Sequence, residues 1–289
     1  MEFEGLKPNL SEKNTKQKNK SVVESVKEVI NEIRENCQRI IRISLFDYKL
    51  LNKDSYLGAG WNLLNPLIQI GTYWFVFGIG IRSGSPVNGH PFLIWMLCGL
   101  IPWFFISTCI TQGASSIYAK ARLMLTLKYP ISTMPLSTIL VAFYQHIAVL
   151  GILVLLLFVH GYFTNLYWIN ILYYFVYEFA FLVSLAMVTS VLTMIARDFQ
   201  KLINSLIRLL FYLTPILWTI ENLPITVQKI FQLNPVLYIV SGFRDSLLYD
   251  ISIFEHLDKM VFFWILNLIL FAIGCKLQVK FRDKFIDML

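Results

Sequence analysis

The sequence has 289 residues, of which 56% are hydrophobic and only 15% charged, with a formal net charge of +7. Soluble domains carry about 25% charged residues, whereas here the apolar residues collect in nearly uncharged windows of about 20, the length a helix needs to cross a bilayer. An ordinary soluble domain is excluded, a β-barrel is disfavoured by the lack of period-two alternation, and the fold class predicted is an all-α polytopic membrane protein.

Taken in chain order, residues 1–20 are rich in Lys, Asn, Ser and Glu and predict a disordered tail without a signal peptide. Val22, Val26, Val29, Ile30 and Ile33 recur at helical spacing, and "RIIRISLFDYKLL" (39–51) mixes cations with Ile, Leu and Phe. Residues 21–55 therefore predict an amphipathic helix region lying in the membrane interface. A permease domain over 56–289 follows, with spans expected at about 61–81, 92–111, 137–159, 167–195, 199–220 and 260–277. Between the last two, Pro224 and Pro235 punctuate apolar pieces too short to span. Two short re-entrant helices suit that segment, since irregular backbone survives at membrane depth only inside protein or along a cavity.

Six spans put both termini on one side. Lys and Arg number twenty-one on that side and four (Arg82, Lys229, Arg244, Lys259) on the other. The positive-inside rule makes the termini cytoplasmic. The net positive charge fits cytoplasmic loops near anionic lipid rather than nucleic acid.

The chain contains no G-x-x-x-x-G-K-[ST] phosphate loop. His90, His146, His160 and His256 are scattered, so no metal site is expected. Cys37, Cys98, Cys109 and Cys275 lack metal-like spacing and read as small apolar residues. No nucleophile has a convincing partner, so the chain is not expected to be an enzyme by itself. Polar groups within spans are costly in lipid and face a cavity or another helix. Gln145, His146 and Glu178 are therefore candidates for a translocation path, or else for helix packing. The aromatic runs "TYWFVFG" (72–78) and "PWFF" (102–105) add Tyr73, Trp74, Phe77, Trp103 and Phe104, as a channel wall or as an interfacial aromatic belt.

Four segments in register resemble ABC type-2 polysaccharide export permeases, a family that includes the teichoic acid and O-antigen exporters. They are "DSYLGAGWNLLNPL" (54–67), "LTLKYPISTMPLS" (125–137), "ARDFQKLINSLIRLLFYLTPILW" (196–218) and "LNPVLYIVSGFRDSLL" (233–248). The resemblance covers about residues 40–280, and the teichoic-acid-exporting members are the most similar. It implies a homodimer with two separate ATPase subunits that bind ATP and magnesium, and a glycopolymer on an undecaprenyl-diphosphate-type lipid moved to the outer face of a cell membrane. The teichoic acid likeness and the Lys- and Asn-rich tail lean towards a Gram-positive source.

The resemblance further implies that 115–135 form a cytoplasmic coupling helix seated on the ATPase. Tyr118, Leu123, Met124, Leu127 and Tyr129 would supply apolar contact, Lys120, Arg122 and Lys128 the charge, and Pro130 the stop. One departure is that Ile131-Ser132 follow Pro130, where the family often has a basic residue. Arg39, Arg42, Lys49 and Lys53, with Trp61 at the start of the first span, become candidates for substrate uptake, attracting the diphosphate. Rival readings are a drug or ion exporter of the same class, a proton-coupled transporter using Glu178 and His146, and a membrane glycosyltransferase. The second is opposed by the lack of internal repeats, and the third by the lack of a cytoplasmic acidic cluster.

Overall fold

The computed structural model describes residues 20–51, 53, 56–120, 129–163, 165–221 and 223–287. Residues 1–19 of the predicted tail, and Arg122, Leu123, Met124, Leu127 and Lys128 of the coupling stretch, lie outside the described residues, while Lys20, the last tail residue, is described and pairs with Glu28 at 2.6 Å. Among the described residues there are ten α-helices: α1 Val22–Glu35, α2 Cys37–Leu50, α3 Trp61–Tyr73, α4 Phe92–Ala119, α5 Met134–Val159, α6 Ile169–Ile195, α7 Asp198–Leu213, α8 Ile225–Phe231, α9 Pro235–Leu247 and α10 Leu257–Asp287. The amphipathic region is two helices broken at Asn36. A capping box starts the first, Ser21 accepting from the Glu24 amide while Glu24 reaches back to the Ser21 amide.

Among the described residues, five segments are long and apolar enough to cross a membrane: Trp61–Ile81, Phe92–Ala119, Ile131–Val159, Leu166–Ile195 and Ile253–Arg282. The predicted fifth span, 199–220, is not one helix. α7 has 16 residues, about 24 Å at 1.5 Å per residue, short of the roughly 30 Å of a hydrocarbon core. Proline 215 ends it, because the residue before a proline is driven out of the helical region, and Thr214 is extended. The apolar length of this segment was legible in its composition, but the break was not.

α7 and the irregular stretch after it nevertheless run antiparallel to nearly the whole of α4. The Arg197 guanidinium sits 4.9 Å over the Tyr118 ring, and Gln200 Nε2 donates to the Thr111 carbonyl at 3.0 Å. Further along, the Phe211 and Trp103 rings are 5.4 Å apart. At the far end Arg244 joins the carbonyls of Pro215 and Ile216 to that of Trp95.

α4 is the hub. Of its most apolar 18-residue window 78% is buried, against 11% for the Trp61–Ile81 segment. A helix apolar all round belongs in a core. Its approach to α6 depends on Gly113, where an added Cβ would lie 2.7 Å from the Ala186 Cβ, the small-residue packing common between membrane helices.

Ion pairs mark one end of the bundle. Arg282 on α10 binds Glu28 at 3.0 Å and Glu32 at 2.7 Å on α1, and Glu32 also accepts from the Ser132 hydroxyl. Lys120 binds Asp47 at 2.8 Å. The C-terminal ends of α4, α6 and α10 and the starts of α5 and α7 thus share the end that carries α1.

The opposite end is closed by α8, α9 and the loops. The two short helices stand where two were expected between the last spans. Trp95 Nε1 and Tyr249 OH are 3.0 Å apart, His90 Nδ1 and Tyr162 OH 2.7 Å. Two small cavities of about 200 and 180 Å3 meet here on Ser241 and Asp245. Burial raises the Asp245 carboxyl to about 6, against the pull of His256, Lys259 and Arg244.

The folded state therefore holds the Asp245 proton more tightly than the unfolded chain, and stability falls as pH rises from about 4 to about 6. Asp245→Asn is expected to melt above the wild type at pH 8 and level with it near pH 4, as read by thermal unfolding in detergent. A difference that does not change with pH would contradict this.

Candidate translocation surface

Helix α3 begins after the Gly58–Gly60 turn and carries Asn65, Gln69 and Thr72 at spacings of four and three, all exposed. After Tyr73 the backbone widens into a π-helical stretch, Trp74–Ile81, a form that recurs at functional sites. No local residue pattern signals it. Gly78 lies so close to Phe92 and Trp74 that a Cβ would meet each at 3.1 Å.

Helix α7 repeats the pattern. Ile203 and Phe211 are buried on one face, while Lys201, Ser205, Arg208 and Tyr212 line up exposed at spacings of four, three and four. Arg208 lies ten residues along from Asp198, about 15 Å by the rise per residue, and its Nε donates back to the Asn204 carbonyl at 3.2 Å.

The two helices meet through Tyr73 and Phe211, whose rings are 5.3 Å apart. Phe77 and Trp103 extend the cluster, at 6.5 Å from Tyr73 and 5.4 Å from Phe211. Two exposed polar stripes thus lie on adjacent helices over an aromatic floor. Polar side chains on a membrane-crossing surface face a water-filled path or another protein rather than lipid.

The predicted path residues divide. Tyr73, Phe77 and Trp103 come together in this floor, with Trp103 only 5% exposed beneath it, and Trp74 is exposed on the π-helical stretch. Phe104, Gln145 and His146 line a separate small cavity of about 70 Å3 with Asn62 and Pro66. There Gln145 Nε2 donates to Asn62 Oδ1 at 3.2 Å. His146 packs against Phe105 at 4.7 Å and Phe175 at 5.6 Å, two rings that also touch each other at 6.5 Å. Glu178 is fully buried, and neither carboxylate oxygen has a hydrogen-bond partner among the described residues. No hydrogen bond joins it to His146.

Sequence reasoning missed Phe211 and the Lys201–Tyr212 stripe. The helical period over 199–212 carried both, masked by the reading of that segment as a uniform span.

The uptake candidates Arg39, Arg42 and Lys49 share the exposed face of α2 with Phe46 and Leu45, Lys53 lies just beyond, and Trp61 is 40% exposed. Among the coupling candidates, Tyr118 is exposed in the last turn of α4, Tyr129 is buried and Pro130 precedes a short 3-10 turn. Lys120 turns inward. Burial holds its pKa below the usual lysine value, and the hydrogen bond and charge of Asp47 offset only part of that. Cys98, Cys109 and Cys275 are buried and Cys37 is exposed.

Comparison with known proteins agrees with this architecture. The chain is 26% identical over 251 residues to the O-antigen export system permease protein RfbA of Klebsiella pneumoniae, covering 86% of this chain and 94% of that protein. It is 24% identical over 200 residues to the protein of the same description from Myxococcus xanthus, covering 68% and 75%. Residues 40–248 match the profile of the ABC-2 type transporter, a stretch running from α2 through α9 and so containing both polar stripes. The chain belongs to the ABC-2 type transporter family.

Proposed function

We propose that the chain is the permease subunit of an exporter that moves a lipid-linked glycopolymer from the inner to the outer face of the cell membrane. It works as a homodimer with two separate ATPase subunits, which bind ATP and magnesium. The observation that carries this reading is the pair of exposed polar stripes on α3 and α7 over the Tyr73–Phe77–Trp103–Phe211 floor. Two copies facing each other would enclose a path whose walls offer hydrogen bonds and aromatic faces, the surfaces on which sugars pack. Similarity to permeases named for O-antigen export over most of both chains supports a polysaccharide cargo. The likeness to teichoic acid exporters in the four quoted segments favours wall teichoic acid on an undecaprenyl-diphosphate lipid. Cations placed twenty-one against four favour a cytoplasmic α1 end.

In this reading residues 115–135 include the contact with the ATPase, with Leu123 in its centre. The test is co-purification with the ATPase in lipid and measurement of ATP hydrolysis, with and without Leu123→Asp. A stable complex that the substitution dissociates or silences is expected. A complex unaffected by it would remove the coupling role from this stretch.

The buried carboxylate of Glu178, without a hydrogen-bond partner among the described residues, favours one second reading, proton-coupled transport. Glu178→Gln is expected to leave ATP-driven export within about twofold of wild type, since the group touches neither stripe. A loss of about tenfold, with export that follows an imposed proton gradient, would favour the second reading.

A further inference from the structure

The Arg282 ion pairs lie beside a second hydrophobic cluster that stands apart from the main core. It gathers Ile33 of α1, Ile117 of α4, Met194 of α6 and Phe281 of α10 around Tyr129 and Ile131. The 115–135 stretch therefore has both its ends in this cluster. The covalent chain passes a movement of that stretch only to the helices on either side of it, α4 and α5.

Contacts through space add α1 and α10. Glu28 and Glu32, four residues apart, lie on one face of α1. Arg282 Nη1 donates to Glu28 Oε1 at 3.0 Å, and its Nη2 stands 2.7 Å from Glu32 Oε1, a charge contact without hydrogen-bond alignment. The other oxygen of Glu32 accepts from the buried Ser132 hydroxyl. One carboxylate thus joins the exit of the 115–135 stretch to the far end of the last membrane-crossing segment. Arg282, Glu28 and Glu32 are only 20%, 24% and 19% exposed in their side chains, so salt screens them less than a surface pair. The apolar cluster beside them is close-packed, and close-packed interiors transmit displacement.

We infer that Glu32 and Arg282 are positioning residues of the transport cycle, linking displacement of the 115–135 stretch to the C-terminal end of α10 so that the two move as one body. The inference rests on the reading of that stretch as the ATPase contact. Without the link, a movement of the ATPase still reaches α4 and α5 through the chain, while α10 is left behind.

The test is hydrogen–deuterium exchange on the full-length permease co-purified with its ATPase, with and without a non-hydrolysable ATP analogue and magnesium. In the wild type the analogue is expected to change exchange in both 131–136 and 277–282. Arg282→Gln is expected to keep the first change and to reduce the second about fivefold, within the roughly two- to thirtyfold by which single residues alter coupling. ATP hydrolysis by the same preparation shows that the complex is assembled. Arg282→Lys keeps the charge and is expected to retain part of the second change. Glu32→Gln leaves the Glu28 pair in place and reads the same loss should Arg282→Gln not assemble. A change at 277–282 undiminished in the Gln variants, or missing from a wild type whose 131–136 segment responds, would overturn the link. No response in either segment would overturn the ATPase contact, and the link with it.

Discussion

Arg244→Ala is expected to destabilise the protein by about 2–5 kcal/mol, because it leaves two buried carbonyls unpaired at about 1–3 kcal/mol each. The argument begins with Pro215. It ends α7 early and frees carbonyls that no helix satisfies, and unsatisfied backbone at membrane depth is strongly disfavoured. Arg244 is 6% exposed. Its Nη1 donates to the Pro215 carbonyl at 2.8 Å and its Nη2 to that of Ile216 at 2.7 Å. The guanidinium also lies 3.6 Å over the Trp95 ring, a cation–π contact that gains from desolvation.

Gly99 leaves the room for this, since a Cβ there would stand 2.6 Å from Nη2. Gly99→Leu is therefore expected to act in the same direction as Arg244→Ala. Thermal unfolding in detergent checks both, and proteolysis at 214–221 checks the location. Arg244→Lys should recover only part of the loss, because an ammonium cannot reproduce the planar fork. A melting temperature unchanged by Arg244→Ala would show that the irregular stretch is held by other contacts.

The second large effect falls on the α7 stripe. Reversing both charges, Lys201→Glu with Arg208→Glu, is expected to cut export at least about tenfold while leaving folding intact, since exposed substitutions usually cost within about 0.5 kcal/mol. Lys201 is 84% exposed in its side chain, and its bond to Asp198 is a surface pair worth little. Loss of stability would therefore not be the cause of lost export. Leu202→Ile, on the neighbouring apolar stripe, serves as the control and is expected to be silent. The readout is polymer reaching the outer face of reconstituted vesicles, with melting temperature measured on the same preparations. Export unchanged by the double reversal would remove the stripe from the path.

What could be read from the sequence was what composition and period control. Five of the six expected spans, two short helices before the last one and an amphipathic segment ahead of the first follow from apolar length, helical period and proline position. Pro215 was visible too, but the uncharged run around it masked its effect, and only the carbonyls on Arg244 show how the break is tolerated. The π-helical turn at Trp74–Ile81 has no local signature. Long-range pairs were illegible for the same reason. Nothing in the chain order ties Lys120 to Asp47, or Arg282 to Glu28 and Glu32, because partners so far apart meet only through packing. Of the path candidates, the sequence offered Tyr73, Phe77 and Trp103 as aromatics, whereas their convergence on Phe211 needed the fold.

The central claim is tested most directly by co-reconstituting the permease and its ATPase in liposomes that carry a lipid-linked glycopolymer, teichoic acid in one set and O-antigen in another. Polymer exposed on the face opposite the ATPase is then followed with and without ATP. The account predicts ATP-dependent exposure in at least one set, absent when either subunit is omitted. Exposure that proceeds without ATP or without the ATPase, or none in either set from a complex that hydrolyses ATP, would contradict it.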